Sequence, residues 1–97
     1  MVSLWFWSLK RAATLFTVVV REGRIARSSG RIPPRMMAEI SEIIETAGVS
    51  HAKIRGVTRD GRPVLQFEGE MDTGIQQQMR NVVGQFTTGQ IRSGRKH

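Results

Sequence analysis

The sequence contains no cysteine and only two histidines, His51 and His97. The absence of cysteine excludes disulfides, thiolate metal ligands and a cysteine nucleophile, and it is typical of a reducing compartment. His51 falls in a predicted helix-to-strand connection and His97 in a polar C-terminal stretch, so neither has the serine and orienting acid that a nucleophilic triad requires. We therefore expect no enzyme activity and no catalytic residues.

Candidates for a metal or phosphate-loop site are equally scarce. Glu39, Glu42 and Glu45 stand at three-residue spacing, which is typical of the polar side of a helix, and no further ligand is clustered with them. The glycines at 23, 30, 61 and 69 are turn glycines, because none lies in a Gly-rich strand-to-helix loop with the lysine of a phosphate loop. We expect no metal, no cofactor and no small-molecule substrate.

No apolar run is long enough to cross a membrane, because Lys10 and Arg11 separate the apolar residues 2–9 from the second run, 12–20. A signal peptide is not indicated either, since these charges follow the first run. Two interpretations remain. The segment closes the small core or a homodimer seam, or residues 1–16 lie at a membrane surface with aromatic residues in the interface. In either case the contact residues are Leu4, Trp5, Phe6 and Trp7.

The charge is strongly positive, with 15 Lys and Arg against 8 Asp and Glu and a net charge of +7. Such an excess favours anionic partners: nucleic acid, an acidic protein or anionic lipid. Residues 59–80 hold three arginines and four acids, so we expect the second half of the chain not to be basic. The predicted anion-binding residues therefore come from the first half and the tail: Arg21, Arg24, Arg27, Arg31, Arg35, Arg92, Arg95 and Lys96.

Two similar stretches, residues 19–24 and 57–62, predict β-hairpins with two-residue type I′ turns at Glu22-Gly23 and Asp60-Gly61. Counting from the first turn pairs Val19 with Ala26 and puts Arg27 on the core face, which predicts an edge position or a bulge near residues 28–30. The second hairpin should pair Arg59 with Arg62, Val57 with Val64, Arg55 with Gln66 and Lys53 with Glu68.

Each hairpin is followed by an amphipathic helix. Pro34 suits the first turn of one, which should end at Gly48, and Asp72 or Thr73 can cap the other. Laying Gly30 on Gly69 without gaps aligns the apolar positions of both helices, so the sequence predicts an internal repeat. We expect an α+β fold of two ββα units, with a four-stranded, mainly antiparallel sheet and two helices on one face. The predicted organisation is an apolar segment at 1–14, a single ββαββα domain at 15–90 and a basic flexible tail at 91–97.

The chain resembles a family of short bacterial proteins that is classed as a domain of unknown function. The resemblance rests on residues 20–25 (VREGRI), 30–34 (GRIPP), 60–62 (DGR) and 77–84 (QQMRNVVG). It implies an N-terminal hydrophobic segment followed by a small basic domain, and it supplies no activity and no site residues. Lys10 and Arg11 depart from the hydrophobic anchor of that pattern, which argues against a true membrane span.

Taken together, these features predict a non-enzymatic basic interaction module that contacts nucleic acid or another anionic partner. The alternatives are a membrane-surface protein held by residues 1–16 and a homodimer built on the N-terminal tryptophans. We expect a cytoplasmic location, with the inner face of the membrane as the alternative.

Overall fold

The computed structural model describes residues 13–69 and 71–96, which form an antiparallel sheet with helices packed on one face. The sheet order is β4-β3-β1-β2, and a two-residue fifth strand pairs with the outer edge of β2. The prediction of an α+β fold made of two ββα units is confirmed. In chain order the elements are β1 (Thr14–Arg21), β2 (Arg24–Ile32), α1 (Pro34–Ala47), β3 (Ala52–Arg59), β4 (Arg62–Gly69), α2 (Thr73–Val83), α3 (Thr88–Arg92) and β5 (Arg95–Lys96).

The predictions for Leu4, Trp5, Phe6 and Trp7, and for most of the segment 1–14, lie outside the described residues. Within 13–69 and 71–96, no helix is long and apolar enough to cross a membrane.

Both hairpin turns have the geometry predicted from their sequences. Glu22 and Gly23 have φ angles of 53° and 78°, and Asp60 and Gly61 have φ angles of 54° and 76°. A type I′ turn requires positive φ at both central residues. The second hairpin keeps the register that its turn sets, with Lys53 opposite Glu68, Arg55 opposite Gln66 and Val57 opposite Val64.

The first hairpin contains a bulge. Arg21 faces Arg24 and Val20 faces Ile25, as predicted, but Val19 then faces Arg27 and Ala26 has no partner. The bulge is therefore nearer the turn than residues 28–30, where the sequence placed it. An extra residue in one strand moves every later residue of that strand to the opposite face.

The two units are built alike. β1 and β3 pair antiparallel at the centre of the sheet, and the two hairpin turns lie at its opposite ends. Gly30 and Gly69 lie near or at the end of the second strand of each hairpin, with φ angles of 88° and 98°. Each is close to the backbone of the residue paired with it, Phe16 and Ala52. A side chain there would collide with the neighbouring strand, so the same requirement for glycine recurs in both units.

The core lies between the sheet and the helices. Phe16, Val18 and Ile54 project from the two central strands and are fully buried. The helices cover them with Met36, Ile40 and Ile44 from α1 and with Met79, Val82 and Val83 from α2. Gly48 ends α1 in the left-handed conformation, as its position predicted. The apolar side of each helix therefore packs on the sheet, and both helices cover the same face of it.

The segment that the sequence predicts to be a flexible tail begins inside an ordered element. Thr87 and Gln90 form a capping box at the start of α3, and Ile91 of this helix is fully buried. β5 follows, with Arg95 opposite Ile32 and Lys96 opposite Arg31. A capping box satisfies two backbone N–H groups and the burial of Ile91 anchors the turn, so the structure departs from the expected tail at 91–96.

Candidate functional site

The sheet presents one face to the helices and one face that no helix of the described residues covers. We call the second one the helix-free face. Side chains alternate between the two faces along a strand. In β1, Phe16, Val18 and Val20 are buried against the helices, whereas Thr17 and Val19 point the other way and are partly exposed. Away from the register shifts at Leu15 and Ala26, this alternation assigns the paired residues of the sheet to one face or the other.

The first hairpin carries four arginines on the helix-free face. Arg21 and Arg24 are paired beside the turn, and Arg21 shares the alternation of Thr17 and Val19. Arg27 lies opposite Val19 and Arg31 follows two residues after Ser29, which lies opposite Thr17. All four side chains are exposed. Four of the eight predicted anion-binding residues are thus brought to one surface.

The bulge at Ala26 puts Arg27 on this surface. In an unbroken register Arg27 would face the helices beside Ile25, which packs against the core. A charged side chain buried there without a partner would cost several kcal/mol, so the bulge resolves a conflict that the sequence alone reveals.

The second hairpin adds four cations that the charge count along the sequence missed. Lys53, Arg55 and Arg59 alternate along β3 with the buried residues Ile54 and Gly56, and Arg62 is paired with Arg59 beside the second turn. Lys53 and Arg55 are partly exposed, and Arg59 and Arg62 are exposed. The alternation of side chains in the predicted second hairpin could have revealed them, because it places all four cations on the same face.

Acidic residues are largely excluded from the strands of the helix-free face. Glu68, opposite Lys53, is the only acidic residue in the described strands. Glu22 and Asp60 occupy the turns at the two ends, and Asp72 accepts a hydrogen bond from the Ile75 N–H at the start of α2. Of the four acids in residues 59–80, Asp60 therefore lies in a turn and Asp72 caps a helix, and the described strands of this face carry more cations than acids.

The other four predicted anion-binding residues lie outside the first hairpin. Arg35 lies on the helix side, where its guanidinium is 4.0 Å from the Glu39 carboxylate and 4.8 Å from the centroid of the Phe86 ring. Arg92, in α3, borders the helix-free face through a groove that it lines together with Arg31, Thr14 and Gly30. Arg95 and Lys96 are described only through the backbone pairing of β5 with β2.

Polar groups surround a shallow depression near the centre of the helix-free face, which is lined by Thr17, Val19, Arg27, Ser28, Ser29 and Lys53. Hydroxyl, guanidinium and ammonium donors together suit the oxygens of a phosphate group. The phenylalanines of the described part, Phe16, Phe67 and Phe86, all belong to the helix side. The described strands thus offer no aromatic platform for stacking bases on this face.

No group of three or more His, Asp or Glu side chains within 13–69 and 71–96 is close enough to hold an ion.

Comparison with known proteins identifies one family. The model of the family described as "Protein of unknown function (DUF3634)" matches residues 1–96, which agrees with the resemblance noted from the sequence motifs. No curated protein and no solved structure matches the chain.

Proposed function

Because the chain belongs to the family of proteins of unknown function DUF3634, whose description names no activity, we propose a function from the helix-free face: it binds the phosphate backbone of a nucleic acid without reading bases. The observation that supports this proposal is the segregation of charge. Along β1 to β4, eight cations and one acid lie on this face, at positions set by the sheet register.

The cations follow the sheet from one turn to the other. The pair Arg21 and Arg24 lies at one end and the pair Arg59 and Arg62 at the opposite end, with Arg27, Lys53 and Arg55 between them. Strands of eight residues are about 27 Å long, so the cations can contact several consecutive phosphates. A ligand with one isolated charge would use only a small part of such a surface.

The chemistry of the face favours backbone contacts over base contacts. Arginine forks bind phosphate oxygens in a bidentate manner, and Thr17 and Ser29 add hydroxyl donors between them. Base stacking would need exposed aromatic rings, and the described strands place theirs on the helix side. We therefore expect affinity to depend on salt and on charge, and to depend little on sequence.

Anionic lipid is the main competing ligand for the same cations. Insertion into a membrane interface uses Trp, Phe or Leu side chains, whereas the apolar residues of the described face are valines, of which Val57 is buried. Nucleic acid matches the polar character of the face better than lipid does. The test must therefore distinguish binding to nucleic acid from binding to lipid.

The test is the salt dependence of binding by the full chain. Mixed-sequence RNA and DNA, single-stranded and duplex, are titrated at several salt concentrations and followed by fluorescence anisotropy. The double variant Arg27→Gln/Arg55→Gln should reduce the slope of log K against log salt by about 1 to 2, since roughly one counterion is released per neutralised phosphate.

The matched control is Arg35→Gln/Arg80→Gln, which removes the same charge from the helix side. Arg35 and Arg80 lie over the rings of Phe86 and Phe67. The control should keep the slope of the unaltered protein. Equal losses in both variants would mean that only net charge matters, and binding to phosphatidylserine vesicles but not to nucleic acid would replace the proposed ligand with lipid.

A further inference from the structure

We propose that β4 is the contact strand of a homodimer, in which two copies pair antiparallel along this strand and join their sheets edge to edge. This contact does not require the ligand of the helix-free face, although Arg62 belongs to both surfaces. It rests on the outer edge of β4, which no described strand pairs with, on the charge pattern along β4 and on an apolar groove beside it.

The two edges of the sheet differ. β5 pairs with the outer edge of β2 only at Arg31 and Ile32, and no described residue pairs with the outer edge of β4. Arg59 and Arg62 flank a two-residue turn and form a hydrogen-bonded pair, so the backbone groups of residues 63, 65 and 67 point away from β3. Pro63, which has no N–H, falls at one of these outward positions. The N–H and C=O groups of Leu65 and Phe67 are thus available for another strand.

One antiparallel register of β4 against itself is self-complementary. With Leu65 opposite the partner's Leu65, Arg62 lies opposite the partner's Glu68, and the same ion pair recurs on the other side of the two-fold axis. A shift of two residues in either direction would separate these charges. Opposite charges across a strand pair stabilise it and like charges destabilise it, so the charges select this register.

The same register brings an aromatic side chain to an apolar groove. The partner's Phe67 would lie opposite Pro63, on the helix side of the sheet. A groove of about 190 Å³ is present there, lined by Pro63, Val64, Leu65, Arg80, Val83 and Gly84. Phe67 is only partly buried in its own chain, where the Arg80 guanidinium lies 5.1 Å from the ring centroid. Pairing would therefore cover apolar surface as well as backbone groups.

Disulfide trapping tests this register directly, because the chain has no cysteine of its own. Val64 lies opposite the partner's Gln66 in a non-hydrogen-bonded pair, for which α-carbons are about 4.5 Å apart and within disulfide range. We expect a mixture of Val64→Cys and Gln66→Cys chains to form a mixed disulfide dimer under mild oxidation without nucleic acid. Neither variant alone should cross-link. Cross-linking of one variant with itself, or none in the mixture, would overturn the proposed pairing.

Charge reversal gives a second readout by sedimentation equilibrium. Glu68→Arg should weaken the dimer by about tenfold, because two attractive contacts become repulsive, and Arg62→Glu/Glu68→Arg should restore it. Glu45→Arg on the exposed side of α1 changes the same charge away from the edge and should leave the dimer unchanged. If Glu68→Arg and Glu45→Arg weakened the dimer equally, or if Arg62→Glu/Glu68→Arg did not restore it, the proposal would be overturned. These measurements need no nucleic acid, so their failure is distinct from failure of the proposed function.

Discussion

Val19 and Arg27 lie directly opposite each other across β1 and β2, although counting from the turn would place Ala26 opposite Val19. The single unpaired residue turns Arg27 from the core face to the helix-free face. It also sets the face of Ser29 and Arg31, because each later residue of β2 inherits the change. The basic surface of the first hairpin therefore depends on a bulge one residue long.

Deletion of Ala26 should leave the protein folded. The deletion joins Ile25 to Arg27, so Arg27 still lies opposite Val19 in a regular hairpin, and we expect the free energy of unfolding to change by less than about 1 kcal/mol. Deletion of Ser28 is the control, because it shifts Gly30 away from its close approach to Phe16. Urea unfolding should show a clearly larger loss for that variant, and equal losses would contradict the role given to the bulge.

Glu22→Asn should stabilise the protein. Glu22 has a φ of 53°, in the left-handed region that costs most side chains about 1–2 kcal/mol and that asparagine tolerates well. We expect a gain of about 0.5–1 kcal/mol in the free energy of unfolding, measured by thermal and urea denaturation. Asp60→Asn tests the same change at the equivalent turn position and should be nearly neutral, since aspartate already tolerates this conformation. A loss of stability in Glu22→Asn would show that the carboxylate has another role.

Gly56→Ala should destabilise the protein by about 1–3 kcal/mol through overpacking. A methyl group at this position would collide with the ring of Phe16, which is fully buried. Gly74→Ala is the matched control, because this glycine lies in the first turn of α2 and is exposed. Alanine there should be neutral or stabilising, as it is a better helix former. Similar effects of both substitutions in urea unfolding would argue against the tight contact.

Thr87→Ala should loosen α3. The Thr87 hydroxyl accepts a hydrogen bond from the Gln90 N–H, and the Gln90 side chain accepts one from the Thr87 N–H. Loss of an N-cap of this kind costs about 1 kcal/mol. Hydrogen exchange should accelerate at the amides of Ile91, Ser93 and Gly94, which donate to carbonyls of the same segment. Unchanged protection there would mean that the burial of Ile91 alone holds the helix.

The local architecture could be predicted from the sequence because its signals are short-range. Asp60-Gly61 determines its own turn, and that turn determines which residues face each other in β3 and β4. The apolar spacing of α1 and α2 likewise decides which sides are buried. Glycines before each helix mark the repeat, because both positions require positive φ beside a neighbouring strand.

The candidate site could be predicted only in part, because the net charge of a sequence stretch does not show which face of the sheet its side chains occupy. Residues 59–80 hold four acids, yet of these only Glu68 lies on a described strand. Arg35, in contrast, belongs to a strongly basic stretch but lies on the helix side with Glu39 and Phe86. The packing of Ile25 and Ile32 on the core side requires one extra residue between them, but it does not fix where that residue lies.

Mapping the contact surface by nuclear magnetic resonance tests the central claim most directly. Amide and arginine side-chain signals of the full chain are followed while a short mixed-sequence RNA is added at low salt. We expect the largest shifts on β1 to β4, at Arg21, Arg27, Arg55 and Arg59, and we expect them to reverse when salt is raised. Shifts concentrated on α1 and α2, around Arg35 and Arg80, would contradict it.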